Sequence, residues 1–341
     1  MTVPVGMMTA KTSEGRRQLK DVSSEAEERQ KNETSSSCST ASAATAQTAQ
    51  LLEARKLNLK LTPLEEQVVS LKEKHADLLL IIQCGYKYCI FGEDAETAAV
   101  LLKIGTYKNH HFLSCSFPIH RLSVHVKRLV VHGCKVGVVR QKVAPLGSKY
   151  SPFIRQLGDV YTKATLIDES DSAVAQSESV IPLCMVFICE AFGRSDGRMQ
   201  IGAVGIFTQN GDLFYDHFED DPRRNCLDGC LAHWQPAEII FPSRSVTKET
   251  VDASRQFSQS KSCTGDFVRI ERVDCPLPGY DEALEQLHSN YAGQSEVIEM
   301  LTTLPPVLIH CLILALTYMK QFKMERLLDN ITYSLTPFLI Y

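Results

Sequence analysis

Four carboxylates crowd one short stretch of this 341-residue chain: Asp212, Asp216, Glu219 and Asp220 in GDLFYDHFED. Carboxylates gathered on and after one strand could hold a metal pair and cleave a phosphodiester, because two metals stabilise both the attacking and the leaving oxygen. Their placement favours something plainer. Asp212 belongs to the Asn210-Gly211 hairpin signal and Asp220-Asp221-Pro222 reads as a loop, where acids are ordinarily solvated. A metal-dependent nuclease stays as an alternative only. Cys226, Cys230 and His233 could share one helix face and offer zinc three ligands, but neither a fourth ligand nor a second closely spaced pair is evident. Nucleotide hydrolysis needs a phosphate-cradling loop ending in Gly-Lys, and none of the 18 glycines precedes a lysine. Gly202 and Gly205 fall inside a strand pattern rather than at a strand-to-helix turn, so a dinucleotide fingerprint fails as well. No G-x-S-x-G occurs.

Charge points elsewhere. The net charge of -4 divides into +1 over residues 1–56, +6 over 57–168 and -11 over 169–341. From Thr97 to Gly158 there are ten Lys or Arg and five His without one Asp or Glu. So long a basic run favours a polyanion, since each neutralised phosphate releases condensed counterions. The plainer reading is a basic face that only solubilises. The twelve cysteines come without an apolar leader at the N-terminus, so they are expected as reduced thiols packed like small hydrophobes, Cys184 and Cys189 among them. The most apolar window, Val307 to Met319, is 13 residues and too short to span a bilayer.

The elements that must position these groups are legible in outline. Residues 1–56 lack aromatics and include a Ser/Thr/Ala-rich run, which predicts a disordered tail. Thr62 as N-cap and Pro63 at the first helical position open a helix carrying Leu64, Val68 and Leu71 on one stripe. LLLIIQC predicts a buried strand, Gly85 turns it into the strand YKYCIF, and EDAETAAVLLKIG predicts a helix. A further helix is expected from Ser116 and Pro118 to His132, with Leu122, Val126, Leu129 and Val130 inward and Arg121, His125, Arg128 and His132 on another face. KVGVVRQ follows as a strand. Residues around 169–177 read as a linker, after which IPLCMVFICE, MQIGAVGIF, LFYDHF and EIIFP are expected strands, and the segments from DEALEQLHSNYA onward helices.

The string GYKYCIFGEDAETAA resembles the mismatch-binding domain of MutS proteins, and the resemblance continues through SFPIHRLSVHVKRLVVHGCKVGVVRQ, IRQLGDVYTKATLID, MQIGAVGIFTQNGDLFYDHFEDD and HWQPAEIIFP, over roughly residues 60 to 322. Lys87 and Cys89 stand where bacterial MutS and homolog 6 carry a wedging Phe and a base-gripping Glu. Tyr86-Lys87 instead resembles the eukaryotic homolog 3 type. The resemblance implies an α/β fold of a mismatch-binding domain (57–168) and a ribonuclease-H-like connector (178–280), then the first helices of an all-α lever (281–341). It implies recognition of mismatched or looped double-stranded DNA in mismatch repair, as a heterodimer with MutS homolog 2, in the nucleus and without a membrane. Tyr86, Lys87, Ser114, Arg121 and Arg128 are the residues it assigns to DNA, with Tyr86 the wedge and Tyr88 left to strand packing beside Ile90. No catalytic residue, metal or cofactor is expected in this chain; the ATP and Mg of complete members belong to an ATPase domain expected to lie outside it. A fragment or isoform that binds the partner without repairing is the alternative.

Overall fold

The computed structural model describes residues 60–143, 153–166, 183–192, 198–291, 294–328 and 336–337. The expected tail (1–56) and linker (169–177) lie outside the described residues.

The first sheet has six strands in the order β3-β4-β2-β1-β5-β6. They are β1 (Leu79–Cys84), β2 (Lys87–Phe91), β3 (Tyr107–Asn109), β4 (Phe112–Pro118), β5 (Val136–Val143) and β6 (Phe153–Tyr161). Only β1 and β5 pair in parallel; the neighbouring pairs are antiparallel. Period-2 alternation sends Leu79 and Ile81 of β1 to one face and Leu80 and Ile82 to the other. The first face is covered by α2 (Glu93–Leu102) and α3 (Leu122–Val131) through Ala95, Ala98, Val126, Leu129 and Val130. The second face takes Val68 and Val69 of α1 (Pro63–Lys74). Thr62 caps α1 in a full capping box with Glu65, as its spacing predicts. Two expectations need correction. Ser116 and Pro118 do not open a helix; they end strand β4, and a 3-10 turn, Ile119–Arg121, intervenes before α3. Buried Ser114 and half-buried Ser116 break the apolar alternation that would have announced the strand, and Ser-Phe-Pro imitates a helix start. His125 is not on the open basic face: it is buried against Phe117, ring centroids 4.4 Å apart.

The second sheet runs β11-β10-β7-β8-β9-β12, with β7 (Cys184–Phe192), β8 (Met199–Phe207) and β9 (Leu213–Asp220) as an antiparallel meander, and β10 (Glu238–Pro242) and β11 (Arg269–Val273) added in parallel. The two-residue pair β12 (Thr336–Pro337) closes the other edge. Helices α4 (Asn225–Trp234) and α5 (Lys248–Ser262) cover one face with Leu227, Leu231, Trp234 and Phe257. The other face is sealed by α6 (Tyr280–Asn290), α7 (Ser295–Thr303) and above all α8 (Pro306–Lys320), whose Val307, Leu308, Cys311 and Leu312 share a core with Met185, Phe187 and Val204. Packing therefore runs unbroken across residue 280, where a separate lever was expected to begin. No helix among the described residues is long and apolar enough to cross a membrane. The glycines weighed for a nucleotide fingerprint serve close packing instead. A Cβ on Gly202 would lie 2.9 Å from Val307 of α8, and one on Gly205 would lie 2.1 Å from the Phe214 ring.

Both sheets belong to one compact unit, joined by polar contacts. The turn after β6 is tied by Thr165 Oγ1, which accepts from the Thr162 N–H at 2.8 Å, and Ala164 donates its N–H to Glu238 of β10 at 3.1 Å. Lys135, its side chain 3% exposed, donates to Asp77 at 2.8 Å in the first half and to Glu271 at 2.9 Å and Gln321 at 3.2 Å in the second. Its ammonium lies 5.6 Å from the Tyr318 ring centroid and 5.8 Å from that of Phe322.

Candidate nucleic-acid interface

Strands β1 and β2 are joined by two residues, Gly85 and Tyr86, between the paired Cys84 and Lys87. Gly85 has φ +65°, whereas Tyr86 is not among the residues of positive φ. Positive φ at the first central position alone is the pattern of a II′ turn, the tight hairpin turn that asks for Gly there. Such a turn throws the second central side chain outward. Tyr86 is 87% exposed, while Tyr88, two residues on, is 2% exposed and packs on Phe117 at 5.9 Å between centroids. An aromatic ring left this bare forgoes burial worth about 1.5–3 kcal/mol, which strand packing alone would not do.

The turn is held from beneath by three side chains on three strands. Gln141 of β5 accepts from the Gly85 N–H at 3.1 Å through Oε1, and Gln83 of β1 accepts from the Gln141 N–H at 3.1 Å. Arg155 of β6 donates from Nε to the Gln83 carbonyl at 3.1 Å and from Nη2 to Gln141 Oε1 at 3.4 Å. Amide groups and one guanidinium fix the turn without a carboxylate beside it, so the local charge stays positive. Lys87 is exposed opposite Pro118, with its ammonium 6.0 Å from the Tyr107 ring centroid. Exposed His120 and Arg121 follow Pro118 in the 3-10 turn, and exposed Tyr107 and Lys108 stand on edge strand β3. The result is an aromatic tip beside a cationic rim, a surface able to meet phosphates with its rim and bases with its tip.

The five residues assigned to DNA do not all come together. Tyr86 and Lys87 form the tip, and Arg121 lies by the strand end that pairs with Lys87. Arg128 is exposed on the same helical face but two turns further along, roughly 10 Å, toward His132, which stacks near Phe267 of the second half at 6.0 Å. Ser114 is a correction: it is fully buried in β4 with its hydroxyl donating to the Phe112 carbonyl at 3.5 Å, so it cannot touch a ligand at the surface. The basic run is also partly spent on contacts within the protein. Lys135 is in the ion cluster, Arg155 holds the turn, and Arg140 pairs with Asp159 at 2.9 Å. Burial, then the charges of Arg128 and Arg121, lowers the pKa of His125. Sequence reasoning missed Gln83 as a positioning residue; two glutamines facing each other on neighbouring strands carry no signal before the register is known.

The competing chemistry does not assemble. Asp220 is buried and accepts from the Cys226 and Leu227 N–H groups at 3.1 and 2.8 Å, capping α4, while Asp212 accepts from Asn210 in the β8–β9 turn. Cys230 is sealed in the core and Cys226 exposed. Among the described residues no group of three or more His, Cys, Asp or Glu could hold a metal ion.

Residues 62–170 match the family described as MutS domain I. The chain is 34% identical over 294 residues to the human DNA mismatch repair protein Msh3, a match covering 79% of this chain and 26% of that protein. It is 33% identical over 294 residues to Msh3 of Mus musculus, covering 79% and 27%, and 34% identical over 313 residues to msh3 of Botryotinia fuckeliana, covering 80% and 27%. The chain thus spans about a quarter of the length of these curated relatives.

Proposed function

The chain belongs to the MutS family, with the similarity to Msh3 proteins running through most of its length, and from that premise we propose that it reads distorted duplex DNA in mismatch repair through the Gly85–Lys87 turn. The observation that carries this is a bare tyrosine on a rigid, amide-pinned turn beside a cationic rim. Tyr86 is the wedge: its ring exchanges solvent for base stacking where a duplex is already unstacked. Lys87 and Arg121 hold phosphate, and Arg128 extends the contact along the backbone.

Cys89 sits inward at 4% exposure, in the place where a base-gripping carboxylate would be needed for a single mispair. Without that grip, discrimination rests on deformability, and extrahelical loops, which bend and unstack most cheaply, are the preferred substrate. The connector, expected over 178–280, is proposed to take in as well the helices α6 to α8, expected as the start of a lever, because they seal one face of its sheet; the meander continued by two parallel strands, covered by helices on both faces, supports that reading. A homolog 2 subunit is the proposed heterodimer partner, and the nucleus the proposed site of action. The role proposed for this chain is non-catalytic.

The test is fluorescence anisotropy of the full chain on looped, singly mismatched and perfect duplexes. Replacing Tyr86 and Lys87 with Ala is expected to cost about 1–3 kcal/mol on looped DNA and much less on perfect duplex. Equal losses on both would reduce the turn to a backbone contact, and no loss on either would remove it from the interface.

A further inference from the structure

Two thiols lie at the root of the same turn. The register pairs Cys84 with Lys87 and Ile82 with Cys89, so Cys84 and Cys89 share one sheet face as diagonal neighbours. Both belong to the core side facing α1, Cys89 buried and Cys84 half-buried at its rim. Around Cys84 stand the Cys89 thiol, the Arg155 guanidinium from β6 and the Lys87 ammonium from β2; around Cys89 stand Cys84, Lys87 and the Tyr107 hydroxyl from β3. These neighbours favour a thiolate on one sulfur and keep the proton on the other. The hydrogen bond from the Cys89 thiol, joined by the charges of Arg155 and Lys87 against the effect of burial, pushes Cys84 down to about 7. Cys89 moves the opposite way, because it is the donor in that bond and is desolvated. A partly accessible thiolate among cations is the environment that makes a cysteine reactive. The other half-buried or buried thiols of the first domain, Cys134 and Cys115, are pushed up to about 11 by burial.

We propose that Cys84 and Cys89 form a peroxide-sensitive dithiol beneath the DNA-probing turn, with Cys84 the attacking sulfur and Cys89 the resolving one. Hydrogen peroxide is the oxidant. The Cys84 thiolate attacks one peroxide oxygen; an S–O bond forms, the O–O bond breaks, and the departing hydroxide takes a proton to become water. The Cys89 sulfur then attacks the Cys84 sulfenic acid. The S–S bond forms as S–O breaks, and the released hydroxyl leaves as a second water with the Cys89 proton. Two thiols lose two electrons and one peroxide gains them.

Closure has a mechanical consequence. Diagonal neighbours on an antiparallel pair sit about 7–8 Å apart, whereas a disulfide asks for Cα atoms within roughly 7 Å. Oxidation therefore draws the end of β1 across toward β2, directly under Gly85 and Tyr86, and pulls against the Gln83–Gln141–Arg155 clamp. The consequence for DNA rests on the proposed function of that turn; the thiol chemistry does not.

The experiment uses the full chain. Iodoacetamide labelling between about pH 6 and pH 9, read peptide by peptide by mass spectrometry, should show Cys84 alkylated at neutral pH faster than Cys263, although Cys263 is the more exposed. Arg155→Gln should move the midpoint of the Cys84 profile upward. Because Lys87 lies between the two cysteines, trypsin separates them, and peroxide should yield a cross-linked pair of tryptic peptides lighter by two hydrogens. Cys89→Ala should abolish the link and leave a dimedone-trappable sulfenic acid on Cys84. Cys84 lagging behind Cys263, or cross-links forming first between other cysteines, would overturn the dithiol. Peroxide is further expected to weaken looped-DNA binding by ~10-fold in the wild-type chain and not in Cys84→Ser. Cross-linking with unchanged affinity would overturn the coupling and count against the turn as the DNA contact, leaving the chemistry standing.

Discussion

Lys135 offers the sharpest test of how the two halves are held. Replacing it with Ala removes an ammonium shared by Asp77, Glu271 and Gln321. Asp77 is 52% exposed on its side chain, so that pair contributes only about 0.2–1 kcal/mol. Glu271 is far more buried but keeps its contact with Arg269, so the penalty of about 3–5 kcal/mol for an orphaned buried charge does not apply in full. Gln321 loses a donor and the rings of Tyr318 and Phe322 lose a cation, each about 0.5–1.5 kcal/mol. A total near 2–4 kcal/mol is expected for Lys135→Ala. Burial is the largest influence on Lys135 and lowers its pKa, against the upward pull of Asp77. Desolvation thus opposes the attraction, and Lys135→Met, which keeps the stem without the charge, should cost less than half as much. Urea denaturation of the full chain, with midpoint and slope fitted together, reads both values, and a biphasic curve for the Ala variant would mark separation of the halves. If Met costs as much as Ala, attraction outweighs desolvation and the reasoning fails; a loss under about 0.5 kcal/mol for Ala would show that the cluster does not join the halves.

Gly205→Ala should destabilise by about 1–3 kcal/mol, because its Cβ would stand 2.1 Å from the Phe214 ring, itself held against Phe207 and Trp234; an unchanged melting temperature would contradict the packing. Glu65 in the α1 capping box is held below the ordinary value of 4.5 despite burial, which alone would raise it, by bonds from Thr62, His111 and His110. With a folded pKa below the unfolded one, its contribution is complete above about 4.5 and is lost as the pH falls through the lower folded value; the chain carrying Glu65→Gln should therefore lose less stability than wild type between about pH 5 and pH 3, and parallel curves would refute this. DNA binding should weaken with added salt by about 0.9 log unit per log unit for each phosphate neutralised, with the slope shallower for Arg121→Ala. A salt-independent affinity would remove the cationic rim from the interface.

What could be read before the fold was known was whatever repeats on a local scale. Thr62-Pro63 opens α1, Asn210-Gly211 turns β8 into β9, and EIIFP is strand β10, because caps, turns and apolar runs are local signals. Strands β4 and β6 escaped because Ser114, Ser116 and the polar IRQLGD stretch interrupt alternation, and α5 because its mean composition is polar and only Val251 and Phe257 bury large apolar side chains. The candidate site divides along the same line. Tyr86 was legible through the family resemblance alone, since the strand expected over YKYCIF included it; the fold adds the tight turn opened by Gly85, which exposes the second central residue. Ser114 was assigned by the resemblance, and Arg128 and His125 were set on one face by helical spacing; neither signal says which way a strand residue faces or how far a helix carries a side chain from the turn. The clamp of Gln83, Gln141 and Arg155 lies beyond local reasoning altogether, since it needs β1 between β2 and β5, and β6 beside β5. Only that strand order brings an arginine 72 residues away onto the carbonyl three residues before Tyr86. A wedge is useful only if it does not yield when pushed against a base stack, so the stiffness that the proposed role asks of Tyr86 is a property of the sheet, and the exposed ring is only its visible end.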